Sequence, residues 1–151
     1  MWLKLIGITI LVISALYVGL LLVREKQRVL RAVRFVCLLY QHAADRIAVQ
    51  LVSVTEMFSG FTSEFKHLDD AVRRGNWQIV RSELGAEQDL LRDFPEILGT
   101  LYRDEAERLC RLATDAADRR YKKLLDEYER KKRMYLTMPL FAAISGLLLV
   151  L

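Results

Sequence analysis

The sequence predicts an all-α protein: a helical hairpin in which two long helices are continuous with apolar terminal segments and a set of short helices forms a cap. Three observations carry this expectation. Apolar residues recur at three- and four-residue steps through the long stretches instead of alternating. Between Arg24 and Arg133 there is a single proline, Pro95, and the few glycines punctuate helical periodicity. Finally, the 53% apolar and 28% charged residues are segregated by position, with uncharged runs at both ends. A chain of 151 residues with no internal repeat or low-complexity linker fits one domain between those ends.

The first element, residues 2–23, reads as a transmembrane helix. A secretory signal carries its positive charges before a core of roughly 7 to 15 residues and ends on small residues at a cleavage site. Here only Lys4 precedes the run from Leu5 to Val23, whose 19 residues rise about 28 Å as a helix. The exit, LYVGLLLVREKQ, has no small-x-small pair, and the basic cluster follows the apolar run. An anchor that is not cleaved is the expected outcome.

Residues 24–133 form the central domain. Val29, Val33, Val36, Leu39, Tyr40, Ala43, Ala44, Ile47, Leu51, Val54 and Phe58 mark one face of a helix expected to stop near Ser59 and Gly60. The β-branched VQLVSV is the one stretch in which a strand competes with this helix. Thr62 or Ser63 can cap a short helix through Arg73, with Gly75 as its left-handed terminus. Asn76 can cap WQIVRSEL, which ends on Gly85. AEQDLLRDF should stop before Pro95, and EILG should turn.

From about Thr100 the chain is built from good helix formers. Leu101, Ala106 or Leu109, Leu112, Ala113, Ala116 or Ala117, Tyr121, Leu124, Leu125 and Tyr128 give its apolar stripe. Glu107 with Arg111 and Asp115 with Arg119 are spaced for i, i+4 pairs. This helix is expected to run on into a second transmembrane helix, residues 135–151. These 17 uncharged residues rise about 26 Å, with Pro139 either in the first turn or at a kink.

A net charge of +4 invites a nucleic-acid reading, but its distribution argues against one. Residues 35–118 hold nine Lys/Arg against fifteen Asp/Glu, whereas 24–34 hold five against one and 119–133 hold eight against three. Basic residues flanking both apolar runs on one side of a bilayer place the central domain in the cytoplasm of a two-pass inner-membrane protein. Arg24, Lys26, Arg28, Arg31, Arg34, Arg130, Lys131, Lys132 and Arg133 are therefore expected at the membrane surface, as topology determinants and as partners of lipid headgroups.

No catalytic constellation emerges, so the protein is not expected to be an enzyme. His42 fits a solvated or interface position, and His67 with Asp70 makes at most one local hydrogen bond. Cys37 and Cys110 suit small buried positions in a reducing compartment. Phosphate-loop and dinucleotide glycine patterns are absent, and no cofactor or metal is expected. The acids Asp69, Asp70, Glu83, Glu87, Asp89, Asp93, Glu96, Asp104, Glu105 and Glu107 are read either as solvated surface or as a docking face for a basic partner. Glu83, Glu87, Asp89, Asp93 and Trp77 are the candidate docking residues, with Trp77, Phe61, Phe65 and Phe94 also suited to a cap core.

The opening MWLKLIGITILVISALYVGLLL, its exit into basic residues and the closing KKRMYLTMPLFAAISGLLLVL resemble the stage III sporulation protein AB family. That family is similar to the cytoplasmic domains of type II secretion F proteins. RIAVQLVSVTEMF resembles a family segment in which Ile47, Val54, Glu56 and Phe58 keep the apolar or acidic character, while Arg46, Val49 and Ser53 depart from it. ILGTLYRDEAERL keeps Gly99 and Asp104 but lacks the Ser-Asp pair. The resemblance implies a platform subunit of a secretion-like channel complex between mother cell and forespore. It would dock a cytoplasmic secretion-type ATPase and contact other membrane subunits, with self-association left open. The alternative is a membrane-anchored hairpin scaffold of a division- or phage-associated kind with no ATPase partner.

Overall fold

A computed structural model describes residues 2–49, 53–92 and 94–150, with side chains described for 6, 7, 9–49, 53–92, 94–135 and 137–146. Every regular element among them is helical: α1 (Trp2–Val49), α2 (Val54–Ser59), α3 (Lys66–Arg73), α4 (Trp77–Leu84), a 3₁₀ helix (Gly85–Leu91), α5 (Phe94–Leu98) and α6 (Arg103–Val150). The all-α expectation holds. The chain divides into two compact units, one of Met1–Gln27 with Leu124–Leu151 and one of Arg28–Lys123.

In the Arg28–Lys123 unit, α1 supplies most of the core: Ala32, Val33, Phe35, Val36, Leu39, Tyr40, Ala43, Ala44 and Ile47 are all buried. This is a wider band than the single stripe expected from the sequence, because α1 packs on more than one neighbour. Phe35 meets the rings of Phe61 and Phe65 edge-on, at 5.6 and 6.2 Å between centroids, and Tyr40 lies 4.2 Å from Phe94. Burying one such aromatic or aliphatic side chain contributes about 1.5 to 3 kcal/mol. The Tyr40 hydroxyl donates to the Leu90 carbonyl, which gives this buried polar group a partner.

The opposing stripe of α6 follows the expected one at Ala106 and Ala117 and departs from it at Leu112. Ala106, Cys110 and Ala117 are buried, whereas Leu112 is exposed. Leu112 is two residues beyond Cys110, about 200° around a helix of 3.6 residues per turn. The buried positions of α6 in this unit are thus filled by small residues. Within this unit α1 and α6 run antiparallel: the Arg103 guanidinium donates to the Ile47 and Ala48 carbonyls, and the Cys37 sulfur lies 4.0 Å from the Thr114 carbonyl.

Three boundaries differ from expectation. α1 ends at Val49, and a separate α2 begins after Ser53, whose hydroxyl accepts the Glu56 amide at 3.3 Å. Ser53 and Glu56 have the S-x-x-E spacing of a helix start, and Arg103 donates to the Ile47 and Ala48 carbonyls of α1. No strand occurs among the described residues; Gln50, Leu51 and Val52 of VQLVSV lie outside them.

The second difference lies in 60–65. Neither Thr62 nor Ser63 is the N-cap of α3, which starts after Phe65. Instead, α3 folds the preceding loop onto itself. Asp69, 2% exposed, accepts the Ser63 amide and hydroxyl at 2.8 Å each, and Ser63 Oγ accepts the Phe65 amide at 3.0 Å. Arg73 donates twice to the Phe61 carbonyl, at 3.2 and 2.8 Å, and once to the Thr62 hydroxyl at 3.0 Å.

Third, FPEIL is helical, with Pro95 in the first turn of α5, where its missing amide costs no hydrogen bond. The segment before it is the 3₁₀ helix. α4 matches its expected bounds, closed by Gly85 at φ +55°, and Gly75 stands at φ +68° before it. Asn76 precedes α4 without a side-chain cap bond.

In the other unit, Gln27 Nε2 donates to the Tyr128 hydroxyl at 2.9 Å. The buried positions include the small residues Gly19 and Ala143. Large apolar side chains lie outward: Ile6, Ile10, Leu11, Ile13, Leu16, Tyr17, Val18, Leu20, Leu21 and Leu22 of α1 are exposed, as are Met134, Met138, Phe141 and Ile144 of α6. α6 runs through Pro139, and just ahead of it Thr137 donates its hydroxyl to the Arg133 carbonyl at 2.9 Å.

Two spanning segments are expected from the sequence, but among the described residues no helix is long and apolar enough to cross a membrane. In α1 the apolar run from Leu5 includes Leu5 and Ile8, whose side chains are outside the described set. In α6 the uncharged run from Tyr135 includes Leu136 and 147–150, whose side chains are outside the described set.

Candidate functional site

The two surfaces expected from the sequence, one basic and one acidic, are joined by an ion pair between Arg28 and Glu83. Arg28 and Arg34 are expected to face lipid, yet both pair with acids of the Arg28–Lys123 unit: Arg28 Nε with Glu83 at 3.6 Å, Arg34 Nε with Glu64 at 3.2 Å. Glu83 and Glu87 are expected to dock a partner. Glu83 is the acid that Arg28 meets, and Glu87, 13% exposed, receives Arg120 through Nε at 2.7 Å and Nη2 at 2.5 Å. These ion pairs tie the short helices to α1 and α6. Oppositely charged groups brought together by folding neutralise each other first.

Removing the paired residues leaves a smaller acidic set. Glu96 stands 3.8 Å from Arg81, Asp70 3.7 Å from Arg73, and Glu107 accepts two Arg111 bonds at 2.9 and 2.8 Å; Asp69 is buried. The carboxylates of Asp89, Asp104 and Glu105 are exposed and make no ion pair among the described residues. Asp93 lies outside them. Trp77 is half-buried with its ring edge-on to Phe58 at 5.3 Å, so part of its surface belongs to the core. The sequence signal for this sorting was weak, because Arg120 and Glu87 are 33 residues apart and belong to different elements.

The basic set sorts in the same way. Arg31 lines a hollow of about 210 Å³ with Leu30, Arg34, Glu64, Phe65 and Tyr121. Arg130 pairs with Asp126 one turn earlier at 2.7 Å. Arg24, Lys26, Lys131, Lys132 and Arg133 are exposed and make no ion pair among the described residues.

The residues weighed for chemistry have structural partners. His42 Nε2 is 3.2 Å from the Met57 carbonyl, and its ring is 5.1 Å from that of Phe61. His67 is exposed, while its expected partner Asp70 turns to Arg73. Both cysteines are free thiols; burial pushes Cys110 up to about 12 and also raises Cys37, with Asp118 adding to the latter. Burial likewise raises the Tyr40 hydroxyl above its ordinary range. A thiol held neutral is a poor nucleophile. Among the described residues no group of three His, Cys, Asp or Glu could hold a metal ion.

In comparisons with known proteins, the chain matches no family model, no curated protein and no solved structure.

Proposed function

We propose that the protein is a non-enzymatic inner-membrane scaffold, anchored by its N- and C-terminal apolar segments and presenting the Arg28–Lys123 unit to protein partners in the cytoplasm. One observation carries this reading: the terminal unit exposes many large apolar side chains, ten of them between Ile6 and Leu22 and four between Met134 and Ile144. A helix that is apolar all round needs an apolar surrounding, because such a surface in water is strongly disfavoured. The uncharged sequence runs Leu5–Val23 and Tyr135–Leu151 support a bilayer as that surrounding.

The resemblance to the stage III sporulation protein AB family supports the finer role, a platform subunit of a secretion-like channel complex in endospore formation that receives a cytoplasmic secretion-type ATPase. Asp89, Asp104 and Glu105 are the acids left free to meet such a partner. The experiment is co-purification of the full chain with the ATPase, comparing wild type with a variant carrying Asp89→Lys, Asp104→Lys and Glu105→Lys. The proposal expects capture by the wild type and at least tenfold less by the variant. Equal capture by both removes the acidic docking face, and capture by neither favours a scaffold with no ATPase partner.

A further inference from the structure

The nine basic residues flanking the apolar segments are not equivalent, and the pairing geometry divides them. Arg28 and Arg34 are spent on Glu83 and Glu64, and Arg130 on Asp126. Arg24, Lys26, Lys131, Lys132 and Arg133 keep exposed cationic groups without an ion pair among the described residues. All five belong to the terminal unit, in the turns next to the exposed apolar side chains. The Gln27–Tyr128 hydrogen bond brings the two segments alongside each other within that unit, so Arg24 and Lys26 are one turn or less from one partner of this contact, and Lys131 to Arg133 about one turn from the other.

We infer that these five residues form a headgroup-binding collar selective for anionic phospholipids. Arginine and lysine donate to phosphate oxygens, lysine as a compact charge and arginine through its planar fork. A zwitterionic headgroup offers the same phosphate beside a compensating ammonium; an anionic headgroup lacks that compensation, so a cluster of unpaired cations discriminates between them. The collar rests on the membrane-anchor reading above and specifies which lipid the anchor gathers. Arg28 and Arg34 are excluded from it because their cationic groups already face carboxylates.

The test reconstitutes the full chain in vesicles of phosphatidylcholine mixed with phosphatidylglycerol and measures association of trace spin-labelled lipid of each headgroup. A basic residue near an anionic surface contributes roughly fivefold in binding at low salt. For five such residues sharing several lipids, the phosphatidylglycerol preference is expected to be about threefold or more and to fall as salt is raised. Replacing Arg24, Lys26, Lys131, Lys132 and Arg133 by Gln should bring the ratio to about one, whereas Arg28→Gln with Arg34→Gln should leave it near the wild-type value. A wild-type ratio of one, or a preference that persists in the five-residue variant, overturns the collar.

Failure of the anchor itself reads out differently, as the absence of any motionally restricted lipid of either kind. In that case salt-sensitive cosedimentation with phosphatidylglycerol vesicles decides the collar: binding lost in the five-residue variant upholds it, and no binding by wild type overturns it.

Discussion

The Arg28 guanidinium stands 3.6 Å from the Glu83 carboxylate, joining a base expected at the membrane surface to an acid expected at a docking face. Each therefore helps to hold the central unit together before it is available to any partner. The same logic governs the closer pair of Arg120 and Glu87.

Breaking the Arg120–Glu87 pair should destabilise the protein more than breaking Arg28–Glu83. Glu87 is largely buried, and Arg120→Ala would leave its charge without two hydrogen bonds, at a cost of about 1 to 3 kcal/mol. The looser, more exposed Arg28–Glu83 pair should contribute under about 1 kcal/mol. Denaturant midpoints of the full chain in detergent check the order, and a double-mutant cycle with Glu87→Gln isolates the pairwise part.

Arg103 joins α6 to α1 by donating to the Ile47 and Ala48 carbonyls. Arg103→Ala should cost about 1 to 3 kcal/mol and speed amide exchange around Ile47 and Ala48, since these carbonyls would lose a charged donor. Ser53→Ala should cost about 1 kcal/mol at the start of α2. Exchange rates resolved by segment distinguish these local effects from global unfolding.

How far the sequence revealed this region depended on the range of the interaction. Helix type, the limits of α4 and the glycine termini followed from local periodicity and turn chemistry. The end of α1 did not, although Ser53 and Glu56 displayed the cap spacing, because the apolar steps from Ile47 to Phe58 continue through the break. The α6 stripe was right at Ala106 and Ala117 and wrong at Leu112, whose position about 200° from buried Cys110 turns it outward. Arg28 and Glu83, one from the basic set and one from the acidic, pair across residues far apart in the chain, which periodicity does not encode.

Gly75 and Gly85 both require positive φ, but their surroundings differ. A Cβ at Gly75 would meet nothing within 4 Å, and one at Gly85 would make only an ordinary contact with Val29 at 3.9 Å. Alanine at either position should therefore cost about 1 to 2 kcal/mol through backbone strain, and asparagine less. Thermal melts of the four variants provide the comparison.

Raising the pH above about 9 should weaken the fold through its buried thiols and phenol. Cys110 ionises near 9.0 when unfolded but is pushed up to about 12 by burial, so the unfolded chain releases its proton first and stability falls between those values. Below pH 9 this contribution is fully present. Cys110→Ala should flatten the decline, leaving the parts due to Cys37 and Tyr40, and thiol reagents should modify Cys110 only upon unfolding.

The account centres on the apolar side chains of the terminal unit facing lipid. Spin labels at Ile13 and Phe141, 61% and 68% exposed, should collide freely with oxygen and rarely with a water-soluble nickel complex in reconstituted vesicles. A label at Tyr102, 84% exposed in the central unit, should show the reverse. Nickel access at Ile13 and Phe141 equal to that at Tyr102 would place those helices in water and contradict the account.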